Sequence, residues 1–179
     1  MYARMAARLR ATGRQLATTV GAFGVAGALF FASCDPPPPP PGVVLQAKPV
    51  EAPCTYTDTF GAPRSGGRTH LGVDIGAAEG NDVFAVVNGE ISRIYTDAPG
   101  SLAGNGLSIR QPDGTYFFYA HLLSLASGIK VGTKVTAGQR VGYVGQTGNA
   151  GGPHLHLEIH PQGGAAVNPY PIVRRIGAC

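Results

Sequence analysis

The sequence predicts an all-β domain, an antiparallel sheet of the sandwich or barrel-like kind with short loops. Of the 179 residues, 27 are glycine and 15 are proline, which is typical of many turns between short strands. Short apolar runs lie between these turns. Outside the amino-terminal segment, no window repeats its apolar residues every 3.6 positions, which argues against a helical domain. A chain of this length has room for one domain plus attachments.

Residues 1–34 are typical of a secretory signal. An arginine-rich start is followed by a small, apolar stretch that is uninterrupted from residue 20 to 32. This stretch is shorter than the ~20 residues of a membrane-spanning helix. It ends in Phe-Ala-Ser-Cys, which resembles the lipobox of bacterial lipoproteins, where the cysteine is lipidated and becomes the first mature residue. We therefore expect a lipid on Cys34, with ordinary cleavage or an uncleaved anchor as the alternatives.

Residues 35–54 are predicted to form a proline-rich linker. The six consecutive prolines Pro36–Pro41 fix φ and lack amide donors, so they form an extended polyproline helix that cannot join a sheet. Gly42–Pro53 is expected to continue as loosely structured chain. The linker is predicted to hold the next domain away from a membrane, and the alternative is a ligand for proline-binding domains.

Residues 55–179 carry the predicted domain. Its strands are rich in apolar, β-branched or aromatic side chains and are bounded by turn residues. They are expected at 83–87, 90–95, 106–110, 115–121, 130–135, 140–144 and 154–159. Asn88-Gly89 predicts a two-residue hairpin between the first two strands, and residues 111–114 predict a turn between the next two. Residues 124–127 are expected to form a helical turn.

Charge excludes a nucleic-acid-binding surface. The net charge of +4 arises from four arginines within the first 14 residues. From residue 35 onward, ten basic and ten acidic residues cancel, so the body of the chain is neutral.

The late run HLHLE alternates polar and apolar side chains, which predicts a strand with one buried face. His154, His156 and Glu158 then point to one side, and the leucines between them point into the core. Two imidazoles one pleat apart can share one metal-bound reaction centre. Far upstream, His70 and His121 supply two further candidate imidazoles.

A series of short motifs occurs in one order along residues 58–172. The motifs are Phe60-Gly61, His70-x-x-x-Asp74, Gly104-Asn105, Tyr119-x-His121-Leu122, a Gly-Val spacing over 128–148 and Gly152-Pro-His-Leu-His-Leu-Glu158. Together they resemble the LytM/lysostaphin-type peptidases of family M23. Members of that family are zinc endopeptidases that cleave peptide bonds in bacterial cell walls, and some members have lost ligands and act as binding or activating modules.

The resemblance implies a site for one Zn²⁺. Carried onto this chain, it makes His70, Asp74 and His156 the metal ligands and His121 and His154 the catalytic histidines. The chemistry agrees, because a catalytic zinc keeps three protein ligands and one open position, and lowers the pKa of bound water from ~15.7 to ~7. We expect His154 to take the proton of the attacking water and His121 to contact the oxyanion or position the water, although the sequence does not separate the two roles.

Four neighbouring residues complete the predicted site. Gly72, between two ligands, allows the chain to approach closely. Asn105 resembles a family position near the substrate, but Gly-Asn-Gly is also an ordinary turn. Glu158 either orients a ligand imidazole or is simply exposed on its strand. His160 lies on the same face just before Pro161, and no function is assigned to it.

The three cysteines fit an extracytoplasmic compartment. If Cys34 carries lipid, Cys54 and Cys179 remain at the two ends of the predicted domain. A disulfide between them would tie these ends together outside the cytoplasm. The alternative is two free thiols.

These observations predict a zinc endopeptidase of peptidoglycan, with stem-peptide cross-links favoured over glycine bridges. We expect it in the cell envelope outside the cytoplasm, attached to a membrane through the lipid or the uncleaved signal. The alternative is a non-catalytic or self-occluded module that binds peptidoglycan or activates another hydrolase. In a self-occluded form, residues 42–57 are the candidate cover, with Glu51, Cys54 or Asp58 near the metal.

Overall fold

The computed structural model describes residues 42–177 and 179. Within these residues the chain forms the strands β1 (Cys54–Thr57), β2 (Pro63–Arg64), β3 (Arg68–Thr69), β4 (Val73–Ala77), β5 (Asp82–Phe84), β6 (Gly89–Tyr95), β7 (Asn105–Arg110), β8 (Tyr116–Leu125), β9 (Lys134–Val135), β10 (Arg140–Val144) and β11 (His154–His160), and the short helix α1 (Tyr170–Val173). Single 3₁₀ turns cover Ser65–Gly67, Pro161–Gly163 and Arg174–Ile176. This mostly β architecture confirms the predicted fold class. Among the described residues, no helix is long and apolar enough to cross a membrane.

One large antiparallel sheet positions the site. Its strands follow the order β1-β4-β11-β8-β7-β6-β9, and β10 pairs with β5 and with the far end of β8. β2 and β3 form a separate two-stranded hairpin. The strand that carries HLHLE, β11, therefore lies between β4 and β8. These two neighbours carry or adjoin the other motif residues.

Alternation gives the sheet a buried face and an open face. On β11, Leu155, Leu157 and Ile159 are fully buried, and the histidines between them face the other way. On β8, Phe117 and Tyr119 are also fully buried. The Tyr119 hydroxyl accepts the backbone N–H of Val86 at 2.9 Å, so its polar atom has a partner within the core. The period-2 pattern thus sets which side chains line the site.

The predicted hairpin at Asn88-Gly89 is wrong. β5 ends at Phe84 and pairs with β10, whereas β6 pairs with β7 and β9. Residues 85–87 between them are fully buried, because a continuous apolar run has no polar face to leave in solvent. The Asn88 side chain instead accepts the backbone N–H of Ala137 at 2.8 Å. It joins two loops rather than closing a hairpin.

Two further local predictions differ from the structure. The first half of the helical turn expected at 124–127 is instead the end of β8, which pairs with β10 as far as Leu125. Of the strand expected at 130–135, only β9 is extended. The residues before it close a turn in which Thr133 N–H donates to Lys130 O at 3.0 Å. In both places the pairing partner, which a local pattern does not specify, decides the conformation.

The segment before β1 belongs to the folded domain, contrary to the loose linker predicted for 42–53. Val43, Leu45 and Val50 are buried in the main core. Gln46 N–H donates to Val86 O at 2.7 Å, and Pro49 O accepts Phe84 N–H at 2.8 Å. The folded part therefore starts about a dozen residues earlier than the predicted boundary at residue 55.

A disulfide joins β1 to the carboxyl end of the domain. Cys54, the first residue of β1, is bonded to Cys179, with 4.6 Å between their Cα atoms. β1 is the edge strand that pairs with β4, and Thr57 lies opposite Asp74 in that pairing. The bridge therefore fixes the strand that flanks the site.

Candidate functional site

Three metal-ligand candidates meet where β4 and β11 pair. Asp74 lies directly opposite His156 in the antiparallel register, and His70 comes shortly before β4. His70 Nε2 lies 2.8 Å from His156 Nδ1 and 3.0 Å from Asp74 Oδ1. His156 Nδ1 lies 3.2 Å from the same carboxylate oxygen. The three ligand atoms thus converge on one point.

The other nitrogen of each imidazole is held by the protein. His70 Nδ1 lies 2.8 Å from Thr59 O, and because a carbonyl only accepts, Nδ1 carries the proton and Nε2 is free. His156 Nε2 lies 3.0 Å from Glu158 Oε1, which leaves Nδ1 free in the same way. Lone pairs aimed at one point repel unless a cation lies among them. Two imidazoles and one carboxylate, each oriented by a further hydrogen bond, fit Zn²⁺.

Gly72 permits the close approach of these two strands. A Cβ atom at this position would lie 2.5 Å from Leu157 O and 2.8 Å from His156 Cε1. No side chain fits there without moving a ligand imidazole. The close approach predicted at Gly72 is therefore present.

Asp74 is fixed by groups on both sides. Its Oδ2 accepts Arg64 Nη2–H at 2.6 Å, and its backbone N–H donates to Thr59 Oγ1 at 3.3 Å. Burial raises the pKa of Asp74, but the contact of its carboxylate with the His156 and His70 imidazoles outweighs burial and holds the pKa far below its usual range. The carboxyl group is thus ionised, as a metal ligand must be.

His154 and His121 lie beside the ligand cluster in the same tautomer. His154 Nδ1 is 2.8 Å from Gly152 O, and His121 Nδ1 is 2.9 Å from Thr147 O. Each ring therefore holds its proton on Nδ1 and keeps a free lone pair on Nε2. His154 Nε2 lies 3.6 Å from Asp74 Oδ1, and the centroids of the two rings are 4.7 Å apart. Both rings are able to accept a proton next to the ligand cluster.

His121 has a strained backbone. Its φ is 65°, a left-handed value uncommon for residues other than glycine. Its N–H donates to Ala103 O at 2.8 Å, which holds this conformation. Burial lowers the pKa of His121 to about 4, against the opposing hydrogen bond to Thr147. The ring is thus neutral at pH 7.

Glu158 and His160 continue the network away from the ligands. Glu158 Oε1 bonds to His156, and its Oε2 lies 2.7 Å from His160 Nε2. His160 Nδ1 lies 3.0 Å from Gly164 O, and its ring stacks on Tyr116 with 4.2 Å between centroids. Burial raises the pKa of Glu158, but hydrogen bonds from the two histidines lower it to about 2. Glu158 therefore orients His156 and is not simply exposed on its strand, which were its two interpretations from the sequence.

The site opens into a surface cleft of about 790 Å³. Among residues 42–57, none lines this cleft. The Glu51 carboxylate accepts Asp82 N–H at 3.2 Å, Asp58 accepts Asn168 Nδ2–H at 3.3 Å, and Cys54 is in the disulfide. The predicted self-occluding cover from these three residues is therefore wrong.

Comparison with known proteins supplies the family. Residues 68–169, more than half of the chain, match the model described as Peptidase family M23. The chain belongs to peptidase family M23. The match confirms the resemblance that the ordered motifs indicated, and the site lies within the matched residues or directly beside them.

Two curated relatives and two solved structures illustrate the M23 membership. The DD-carboxypeptidase/endopeptidase Mpg of Neisseria meningitidis serogroup B is 38% identical over 104 residues, 57% of this chain and 22% of that protein. The murein hydrolase activator EnvC of Escherichia coli is 34% identical over 127 residues, 71% of this chain and 28% of that protein. The chain thus spans less than a third of the length of these two relatives.

Among solved structures, the catalytic domain of the antimicrobial peptidase lysostaphin from Staphylococcus simulans gives a TM-score of 0.59 at 30% identity, over 67% of this chain and 92% of that chain. A zinc containing peptidase from Vibrio cholerae gives a TM-score of 0.60 at 27% identity, over 70% of this chain and 39% of that chain. The M23 chain therefore shares both sequence and fold with peptidases.

Asn105 is not part of the M23 cleft. Its side chain accepts Asp97 N–H at 3.0 Å and donates to Leu123 O at 3.1 Å, and its N–H donates to Thr147 Oγ1 at 2.9 Å. It fixes the loops around His121 and does not line the cleft, and a contact of Asn105 with substrate stays a prediction.

Two residues of the site had no role assigned from the sequence. The sequence assigns no function to His160, yet this residue is buried against Glu158. The sequence signal for His160 is the alternation of β11, which places it on the same face as His154 and His156. Arg64 carried no signal, because its contact with Asp74 depends on how the β2–β3 hairpin folds. The predicted signal segment 1–34 and the lipidation site Cys34 lie outside the described residues.

Proposed function

We propose that this M23 chain is a zinc-dependent endopeptidase that hydrolyses peptide bonds of peptidoglycan. The observation that carries the proposal is the convergence of His70 Nε2, Asp74 Oδ1 and His156 Nδ1 on one point at the base of an open cleft. A complete ligand set beside two free imidazole nitrogens is the arrangement that hydrolysis requires and that a pure binding module does not.

In this proposal, His154 and His121 have different roles in hydrolysis. His70, Asp74 and His156 would hold a Zn²⁺ ion, which would act as a Lewis acid on the scissile carbonyl and lower the pKa of the attacking water. His154 Nε2, next to the ligand atoms, accepts a proton from the water and later delivers it to the leaving amine. His121 stays neutral and orients the water through its own Nε2 lone pair. The charge that forms on His154 offsets the developing oxyanion.

The bond proposed to be cut is a stem-peptide cross-link. The support is the name of the Neisseria relative, a DD-carboxypeptidase/endopeptidase. The open cleft on the surface suits a polymer that passes across the site rather than a small enclosed ligand.

The cell envelope, outside the cytoplasm, is the proposed location, with Cys34 as the lipid anchor. The sequence around Cys34 supports the anchor, and the Cys54–Cys179 disulfide supports an oxidising compartment. Labelled palmitate should enter the wild-type protein and not Cys34→Ala. Equal labelling of both proteins would exclude this anchor.

The enzyme is tested by mass spectrometry of peptidoglycan fragments after incubation with the purified protein, with and without a zinc chelator. New fragments that the chelator abolishes would establish hydrolysis and name the bond. His154→Ala should keep zinc and lose hydrolysis, whereas His70→Ala should lose the metal as well. Full activity of either variant would contradict the assigned roles.

A second function is suggested by the relative named murein hydrolase activator EnvC. In that case the protein would bind peptidoglycan or a partner hydrolase without cutting. Intact peptidoglycan after incubation with the zinc-loaded protein would favour this function, and a gain in activity of an added hydrolase would establish it.

A further inference from the structure

The β2–β3 hairpin holds two arginines opposite each other that have different partners. Arg64 and Arg68 pair in the hairpin register, and both line the cleft. Arg64 Nη2 lies 2.6 Å from Asp74 Oδ2. The described hydrogen bonds of the Arg68 side chain are to Ser65, at 3.1 Å to its carbonyl and 3.2 Å to its hydroxyl. One arginine therefore touches a ligand candidate, and its neighbour serves as a natural control.

Because of the Arg64 contact, the two carboxylate oxygens of Asp74 have different partners. Oδ2 accepts the guanidinium, and Oδ1 faces His70 Nε2 at 3.0 Å and His156 Nδ1 at 3.2 Å. A carboxylate without such a partner can present one or both oxygens to a cation. With Oδ2 engaged, Oδ1 is the oxygen left to ligate. The backbone of Asp74 is held as well, because its N–H donates to Thr59 Oγ1.

We propose that Arg64 is a positioning residue for Asp74, which restricts this ligand to a single oxygen and so sets the coordination and affinity of the metal site. The inference rests on the proposed function, because it requires that His70, Asp74 and His156 hold a metal ion. Partners that orient ligands commonly change metal affinity by about 10–100-fold when removed.

The charge of Arg64 acts in the opposite direction from its hydrogen bond. A guanidinium near the site repels a divalent cation, although 36% of the side chain is exposed and water screens it. Affinity alone therefore mixes two effects of opposite sign. The number of oxygens that Asp74 presents responds only to the hydrogen bond, so a spectroscopic measurement of coordination separates them.

The experiment compares the wild type with Arg64→Leu, Arg64→Gln, Arg64→Lys and Arg68→Leu, all in the full-length protein. Each protein is loaded with Co²⁺ for visible absorption, since four-coordinate Co²⁺ absorbs more strongly than five- or six-coordinate Co²⁺. Zinc affinity is measured separately by competition with a chromophoric chelator. Circular dichroism confirms that each variant is folded.

We expect Arg64→Leu to show a weaker, shifted cobalt spectrum and about 10-fold lower zinc affinity. Arg64→Gln, which can still donate to Oδ2 without charge, and Arg64→Lys should stay closer to the wild type. Arg68→Leu should have the cobalt spectrum and zinc affinity of the wild type. A wild-type spectrum and affinity in Arg64→Leu would overturn the inference, and if that variant fails to fold, the same result in Arg64→Ala, which also lacks a donor to Oδ2, would do so. A wild-type protein that binds neither metal would instead overturn the proposed function.

Discussion

Every histidine in the cleft has one ring nitrogen engaged by the protein. Backbone carbonyls hold His70, His121 and His154, and a carboxylate holds His156. Because each acceptor selects a tautomer, the free nitrogen of each ring is decided before any ligand arrives. At the scale of residues, the site is therefore preorganised by hydrogen bonds to groups that do no chemistry themselves.

The Glu158–His160 pair gives a prediction at this scale. In His160→Ala, Glu158 loses the partner of its Oε2 and holds His156 less firmly, so zinc affinity should fall by about 10-fold. Chelator competition measures the change. Tyr116→Phe keeps the ring that stacks on His160 and should leave affinity unchanged. Unchanged affinity in His160→Ala would show that Glu158 positions His156 alone.

A second residue-scale prediction concerns pH. Burial lowers the pKa of His121 to about 4, while the unfolded chain protonates it near ~6.5. Between these values the unfolded state binds more protons, so the contribution of His121 to stability is present above pH ~6.5 and lost as pH falls toward its folded pKa. An NMR titration of the metal-free protein should place the His121 midpoint near 4. A midpoint above 6 would contradict a buried, neutral ring.

At the scale of elements, the register of β4 against β11 brings the ligand candidates together. The pair places Asp74 opposite His156, and a shift of one residue would turn every histidine of β11 into the core. The leucines of β11 prevent that shift, because each would have to leave the core. The hydrophobic pattern thus fixes the geometry of a polar site.

Two glycines of the same region provide a matched test of this packing. In Gly72→Ala the new methyl group meets Leu157 O and the His156 ring, so we expect a loss of about 1–3 kcal/mol of unfolding free energy and weaker metal binding. In Gly76→Ala the methyl group meets nothing within 4 Å, and stability should stay within about 0.5 kcal/mol. Urea denaturation of both variants measures these free energies of unfolding. Equal stability of Gly72→Ala and Gly76→Ala would contradict the tight packing of Gly72 against β11.

The sequence predicted strands better than it predicted their partners. The alternation of His154–His160 and the turn before β8 were sufficient to place those elements. The pattern around Asn88-Gly89 was misleading, because a buried run flanking a turn signal looks like a hairpin even when each strand pairs elsewhere. Arg64 was beyond prediction for the same reason, since a contact across a hairpin depends on tertiary placement.

At the scale of the molecule, the disulfide closes a loop of 125 residues. Replacing Cys54 and Cys179 by serine should lower the unfolding free energy by up to about 4–5 kcal/mol, mainly because the unfolded chain gains freedom. Urea denaturation under non-reducing conditions measures this. Either single serine variant should lose as much as the double variant, since all three lack the same bond. A double variant as stable as the wild type would contradict the bridge.

The Cys54–Cys179 bridge also protects the fold against a cut in its chain. If a protease opened the chain at the exposed turn around Gly132, Cys54 would lie in one piece and Cys179 in the other, and the sulfur atoms would keep the two pieces joined. Such a nicked protein would keep its strand pairings, and its two pieces could separate only after the disulfide is reduced. In an oxidising compartment a single proteolytic cut far from the cleft would therefore leave the cleft intact.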